Sequence, residues 1–315
     1  MDDGVAAMLR TLDDAFPAVE QMSAEAARAA VAARRQPVTN ADDAVAEDRV
    51  LRLAGGPVDA RIYRPHGAAD ERRAGVVFCH GGGFVLCDIE SHDGFCRAMA
   101  RHTDSVVVSV GYRRAPEHRA PAAAEDAYEA FTWAVASATL LGIDAHRIAV
   151  AGDSAGGNLA AVVAILCRER GTPRPAGQVL LYPVIDPSCD TESQRSRATG
   201  CFTTRAALQW YWHQYLGGDT VPDPAYLVAP ARAESLAGLP PAVVVTATLD
   251  PLHSEGVAYA GRLRAAGTPV LHRDFRGLFH GFLTMMPFPP AIAARDLLWS
   301  DMRELLSADA ARGAS

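Results

Sequence analysis

The sequence predicts an α/β fold, with a mostly parallel central sheet, helices on both faces and a helical cap. Two observations carry the sheet and its covering helices. Solid apolar runs at 75–79, 105–112 and 147–151 lack the polar alternation of a strand with one wet face, so both faces must be covered. Each run is followed by helical spacing, at about 95–102, 122–141 and 155–170, and strand–helix alternation builds parallel sheets.

Taken in order, residues 5–16 and 23–35 have helical spacing, and Gln36-Pro37 with Asn40-Ala41-Asp42-Asp43 ends that run. Residues 49–53 and 58–63 alternate in character around Gly55-Gly56-Pro57, as a hairpin does. After the three strand–helix pairs the strand pattern resumes at 177–184, 242–248 and 270–275, and a closing helix is expected at 291–306. Between 186 and 230 the alternation stops, and an aromatic cluster appears at Trp210-Tyr211-Trp212 with Tyr215. The expected division is a catalytic α/β body at 46–185 and 231–315, amino-terminal helices at 1–45 and an insertion at 186–230. The last two are expected to cap the carboxyl ends of the strands.

Composition narrows the function. The chain has 315 residues, 49% apolar and 21% charged, enough to bury a sizeable core. A net charge of −7 disfavours nucleic acid and anionic membranes as partners. All 30 basic residues are arginine, which removes the P-loop, Schiff-base chemistry and the Ser-x-x-Lys hydrolases. The acidic start Met1-Asp2-Asp3-Gly4 is not a secretory n-region, and no apolar stretch reaches the length of a membrane span. A soluble, cytoplasmic protein is expected. The six cysteines show no Cys-x-x-Cys pair and no zinc spacing, so free thiols are expected; Cys79 and Cys87, flanking a glycine loop, are read as packed.

The strongest local signal is Gly152-Asp153-Ser154-Ala155-Gly156-Gly157, after a strand and before a helix, the context of a nucleophile elbow. Glycines two residues either side of Ser154 remove Cβ atoms that would clash at so tight a bend. The competing reading is a plain glycine-rich turn or a phosphate loop, though Gly-x-Gly-x-x-Gly spacing is absent. A second signal, His80-Gly81-Gly82-Gly83-Phe84, follows the strand at 75–79. The N–H groups of Gly82 and Gly83, with that of Ala155, are candidates for an oxyanion hole. A serine at an elbow takes its acid and base later in the chain, each after a strand. Asp250 and His280 occupy those positions. His272 lies within a strand pattern and His253 follows Asp250 too closely to be oriented by it.

These segments resemble the hormone-sensitive-lipase-like (family IV) bacterial carboxylesterases, from about residue 45 to the end. The resemblance also rests on Tyr112-Arg-Arg-Ala-Pro-Glu-His118, Asp250-Pro-Leu252 with Glu255-Gly256, and His280-Gly281-Phe282. It implies an α/β-hydrolase fold, Ser154 as nucleophile, Asp250 as acid, His280 as base, an oxyanion hole at Gly82, Gly83 and Ala155, and a helical cap. Several such enzymes are dimers, which leaves a homodimer open here. The family commonly has Arg-Asp where His253-Ser254 stand, an Asp at Gly111 and a Leu at Arg114, so the local salt-bridge pattern is expected to differ.

The expected chemistry is hydrolysis of short- to medium-chain carboxylic esters through an acyl-enzyme, a reaction that calls for no metal or organic cofactor. Activity should fall in acid at about pH 6–7 as His280 protonates. Phe84, Phe202, Trp210 and Tyr211, with Trp212 and Tyr215, are candidates for an apolar substrate pocket, against the plainer reading that they pack the cap onto the body. The rival functions are a non-catalytic ligand-binding protein on the same fold and an amide, carbamate or peptide hydrolase.

Overall fold

The computed structural model describes residues 2–67, 72–218, 220–286 and 288–307. The chain opens with α1 (Asp3–Ala15) and α2 (Ala24–Ala32), each started by a side-chain cap. Asp2 accepts the N–H groups of Gly4 and Val5, and Ser23 accepts that of Ala26. Strands β1 (Ala44–Leu53) and β2 (Gly56–Pro65) then pair antiparallel as a hairpin. The alternating part follows as β3 (Arg73–Cys79), α3 (Asp93–Thr103), β4 (Ser105–Gly111), α4 (Ala122–Ala136), α5 (Ala138–Leu141), β5 (Ile143–Asp153), α6 (Ala155–Glu169) and β6 (Gln178–Leu181). Two helices, α7 (Glu192–Ser196) and α8 (Arg205–Leu216), lie between β6 and β7 (Ala242–Leu249), and α9 (His253–Ala265), β8 (Val270–Phe279) and α10 (Ile292–Leu305) close the chain.

The strands form one eight-stranded sheet in the order β1-β2-β4-β3-β5-β6-β7-β8. Strand β2 runs antiparallel to β1 and β4, and every pairing from β4 to β8 is parallel. The solid apolar runs serve two cores. Val77, Val150, Leu180 and Val244 pack on one face with α4, α6 and α9, while Val76, Ala149, Val179 and Val243 pack on the other with α3 and α10. With period-2 side chains, a strand facing two cores presents neither face to water, so it reads as an apolar run rather than an alternation. Among the described residues no helix is long and apolar enough to cross a membrane.

Three elements differ from expectation. The helix expected at 122–141 breaks at Ser137 and ends at Gly142, whose φ of +72° is the left-handed turn that glycine takes without penalty. Strand β8 continues to Phe279, four residues past the apolar run, and so delivers His280 at its very end. Helix α9 has no strong sequence signal because it carries Gly256 and Gly261, poor helix formers. Gly256 is there for space: a Cβ on it would lie 2.8 Å from Cγ2 of Thr246, so its absence lets α9 close onto β7.

Candidate active site

Strand β5 leaves the sheet at Asp153, and the chain turns into α6 through Ser154, whose φ is +55° and ψ −115°. A left-handed non-glycine residue costs about 1–3 kcal/mol and persists only where its surroundings over-determine it. Those surroundings are backbone. A Cβ on Gly152 would lie 2.3 Å from the Gly156 carbonyl group, and one on Gly156 would lie 1.8 Å from the Cys79 carbonyl oxygen. The two glycines therefore press the elbow against the end of β3, where the glycine loop begins.

The ends of β5, β7 and β8 bring three buried side chains into one line. His280 Nδ1 is 2.8 Å from Asp250 Oδ2, and His280 Nε2 is 3.0 Å from Ser154 Oγ. A nitrogen facing a carboxylate carries the proton, so Nε2 keeps the lone pair and the serine hydroxyl donates to it. The second oxygen of Asp250 accepts the N–H of Leu252 at 2.8 Å, which fixes the carboxylate's rotation. Burial works against a charged His280, but the Asp250 carboxylate outweighs it and holds the imidazole above its ordinary pKa.

The glycine loop runs alongside. Gly82, Gly83 and Phe84 have φ of +99°, +61° and +64°. Among the described residues no intramolecular hydrogen bond takes up the N–H of Gly82, Gly83 or Ala155. Several contacts hold this loop in place. The Tyr112 hydroxyl donates to the His80 carbonyl at 2.8 Å and its ring stacks on the His80 ring at 4.3 Å. Asp153 Oδ1 accepts the Gly81 N–H at 2.8 Å. Burial drives the His80 imidazole down to about 3, so it is neutral. The Tyr112-to-His118 segment is itself tied down, since Arg113 forks onto the buried Asp126 and Arg28 of α2 donates to the carbonyls of Val85 and Ala115.

Ser154, His280, Gly82 and Gly83 line a cavity of about 310 Å³, whose remaining walls include Leu12 of α1, Phe16 just after it, and Leu208 and Tyr211 of α8. Of the aromatic residues expected there, Phe84, Phe202, Tyr211 and Trp212 are walls. Trp210 is not, a correction to the sequence reading, and the reason is helical phase. Residues 204, 207, 208, 211 and 212 share the cavity face of α8, whereas 210 lies about 100° around the axis from 211 and packs edge-on against the Tyr211 ring at 5.3 Å. Tyr215 is a support: its ring stacks on Phe84 at 4.0 Å behind the wall. Tyr211 lies directly on Gly83, where a Cβ would come within 2.3 Å of its ring.

Cys87 lines the cavity, but burial pushes its thiol up to about 12, as it does that of Cys79. All six cysteines are free. The unusual His253-Ser254 pair makes its own local contacts: His253 Nε2 lies 3.0 Å from Asp274, and Ser254 exchanges hydrogen bonds with Ser193. Sequence reasoning passed over His92, which also lines the cavity and sits 3.0 Å from Asp153. It also assigned nothing to Asp153, Arg28 or Asn158, whose amide bonds the carbonyls of Val184 and Val228. Only Asp153 had a signal, its place inside the elbow; the others lie far from their partners in the chain.

A family model described as the α/β-hydrolase fold matches residues 76–284. The chain is 45% identical over 244 residues to the carboxylic ester hydrolase LipN of Mycobacterium tuberculosis, covering 76% of this chain and 64% of that longer relative. It is 38% identical over 250 residues to the ethyl acetate hydrolase of Pseudomonas putida, covering 77% of each. Among solved structures, a thermostable esterase from Pseudomonas putida is similar at a TM-score of 0.88 and 34% identity, over 97% of this chain and 98% of that one.

Proposed function

The chain belongs to the α/β-hydrolase-fold family, among its hormone-sensitive-lipase-like carboxylesterases, and is a carboxylic ester hydrolase; from that premise we propose that it works through an acyl-enzyme formed on Ser154. The observation that carries the mechanism is the imidazole of His280 bridging Ser154 at 3.0 Å and Asp250 at 2.8 Å through the correct nitrogens. His280 Nε2 takes the hydroxyl proton as Ser154 Oγ attacks the ester carbonyl carbon. The imidazolium that forms is stabilised by Asp250, and the oxyanion is received by the N–H groups of Gly82, Gly83 and Ala155. The proton passes to the departing alcohol, and a water molecule repeats the sequence to release the acid.

The substrate is a short- to medium-chain ester with a neutral acyl group. A cavity of about 310 Å³ is at the small end of ligand pockets, and among the described residues no arginine lines it to pair with an anionic substrate. The amino-terminal helices and the 186–230 segment act as the cap, since α1 and α8 both contribute walls.

A reactive organophosphate followed by peptide mapping tests the site, with Ser154→Ala as its control. Label on Ser154 and ester turnover lost in Ser154→Ala are expected; label on another residue, or turnover surviving the substitution, overturns the assignment. A chain-length series of aryl esters should peak at short acyl groups. Each ester paired with its matched amide separates an esterase from an amidase, and the amide is expected to turn over far more slowly.

A further inference from the structure

His92 sits just before α3, buried behind the glycine loop, and the bonds around it determine its charge. The hydroxyl of Ser91 has a single proton, and it donates this to the Asp88 carbonyl at 2.6 Å. Ser91 Oγ is therefore an acceptor toward its other neighbours, the Asp88 N–H at 2.9 Å and His92 Nδ1 at 2.9 Å. So Nδ1 carries a proton. On the opposite side of the ring, Nε2 lies 3.0 Å from Asp153 Oδ1, the same oxygen that accepts the Gly81 N–H at 2.8 Å. The two atoms are at ion-pair distance without hydrogen-bond alignment, and a buried carboxylate that close to the ring is compensated only if the ring carries a positive charge, so this nitrogen is protonated too.

We infer that His92 is a positioning residue of the ester-hydrolysing site: its imidazolium neutralises Asp153, so the carboxylate that anchors Gly81 does not oppose the oxyanion forming beside it at Gly82 and Gly83. The inference rests on the acyl-enzyme reading above. His92 and Asp153 both line the cavity with Ser154, and in a low-dielectric site an uncompensated carboxylate there acts directly against developing negative charge. The remaining charged or titratable neighbours leave this balance intact. From the end of β3, His80 is neutral; from the preceding loop, Asp88 is paired with Arg35; from α3, Asp93 is paired with Arg61 and Arg97; Arg114 bonds the Cys87 carbonyl; His280 is bonded to Asp250. Burial works against a charged His92, yet Asp153 holds its pKa above the ordinary imidazole value, in keeping with the ion-pair distance between them.

The test compares His92→Gln, Asp153→Asn and the double variant with the wild type, a separate aliquot of each being labelled with the organophosphate while the unlabelled protein is used for kinetics. Absence of label on Ser154 in the wild type would refute the acyl-enzyme reading itself; with label present, the kinetics judge His92. His92→Gln should lower kcat by about 10- to 100-fold with KM changed less than about threefold, the pattern of an interaction felt in the transition state. Adding Asp153→Asn should restore kcat by at least about fivefold, because the amide oxygen still accepts the Gly81 N–H while the charge is gone. The wild type should also lose kcat at alkaline pH as His92 deprotonates, and the double variant should not. Losses that simply add in the double variant, or an alkaline limb that persists there, overturn the inference. If His92→Gln does not fold, Ser91→Ala carries the test: without its acceptor the imidazolium is less stable, and the alkaline limb must move to lower pH. An unmoved limb overturns the inference equally.

Discussion

Asp250→Asn preserves the shape of the side chain that orients His280 and removes its charge. The carboxylate accepts two N–H groups, from Leu252 at 2.8 Å and from His280 Nδ1 at 2.8 Å. An amide has one accepting oxygen. If that oxygen keeps Leu252, the NH₂ group faces Nδ1, which must then give up its proton and become the acceptor. The proton moves to Nε2, which points at Ser154 Oγ from 3.0 Å, and the ring can no longer accept from the serine. If the amide turns over instead, the tautomer is right but two buried donors face each other, at about 1–3 kcal/mol for each left unpaired. A wrong tautomer at such a site costs about 10⁴ in turnover, equivalent to about 5 kcal/mol of barrier. Because both orientations are penalised, kcat for an aryl acetate at pH 8 should fall by about 10³–10⁴ with KM nearly unchanged. A loss below about tenfold, in protein whose far-ultraviolet circular dichroism matches the wild type, would refute the reasoning.

Three further outcomes follow from the geometry. Because Asp250 holds His280 above the ordinary imidazole value, kcat/KM should rise with pH through a midpoint above about 6.5 and be lost below it; a profile flat down to pH 4 excludes this base. Arg28 donates to the Val85 carbonyl at 2.7 Å and to that of Ala115, so Arg28→Leu should cost about 2 kcal/mol in urea unfolding and raise KM; an unchanged midpoint contradicts the link between α2 and the glycine loop. The Arg28 ion pair with Glu117 adds about 0–1 kcal/mol at most, because that carboxylate is 54% exposed. Glu255 is buried and burial raises its carboxyl to about 8, so the fold binds its proton more tightly than the unfolded chain does. That contribution is complete below the ordinary carboxyl value and is lost as pH rises toward 8. Glu255→Gln should therefore narrow the difference in melting temperature between pH 5 and pH 8, and an unaltered difference would count against a buried neutral carboxyl.

Much of the fold was legible because its signals are local. Solid apolar runs at 75–79 and 147–151 report two-sided burial whatever lies opposite them, and β3 and β5 form there. The elbow is legible for the same reason: Gly152 and Gly156 are required by contacts within a few residues and by the adjacent strand end. Strand-end placement also singled out Asp250 and His280. Helix α9, with Gly256 and Gly261, escaped notice because its stability comes from packing on β7 rather than from its own residues.

By itself the sequence determined the layered α/β architecture, the turn at Ser154 and the identity of the residues at the strand ends, since each depends on neighbours close in the chain. Tertiary structure alone decided which aromatic rings face the cavity, because the phase of α8 places Tyr211 on it and turns Trp210 away. It also decided the charge environment of the glycine loop, where Asp153 at the end of β5 meets the adjacent pair Ser91-His92 from a distant part of the chain. Burial and hydrogen bonding set protonation, and both are properties of the packed molecule that no order of residues along a chain displays.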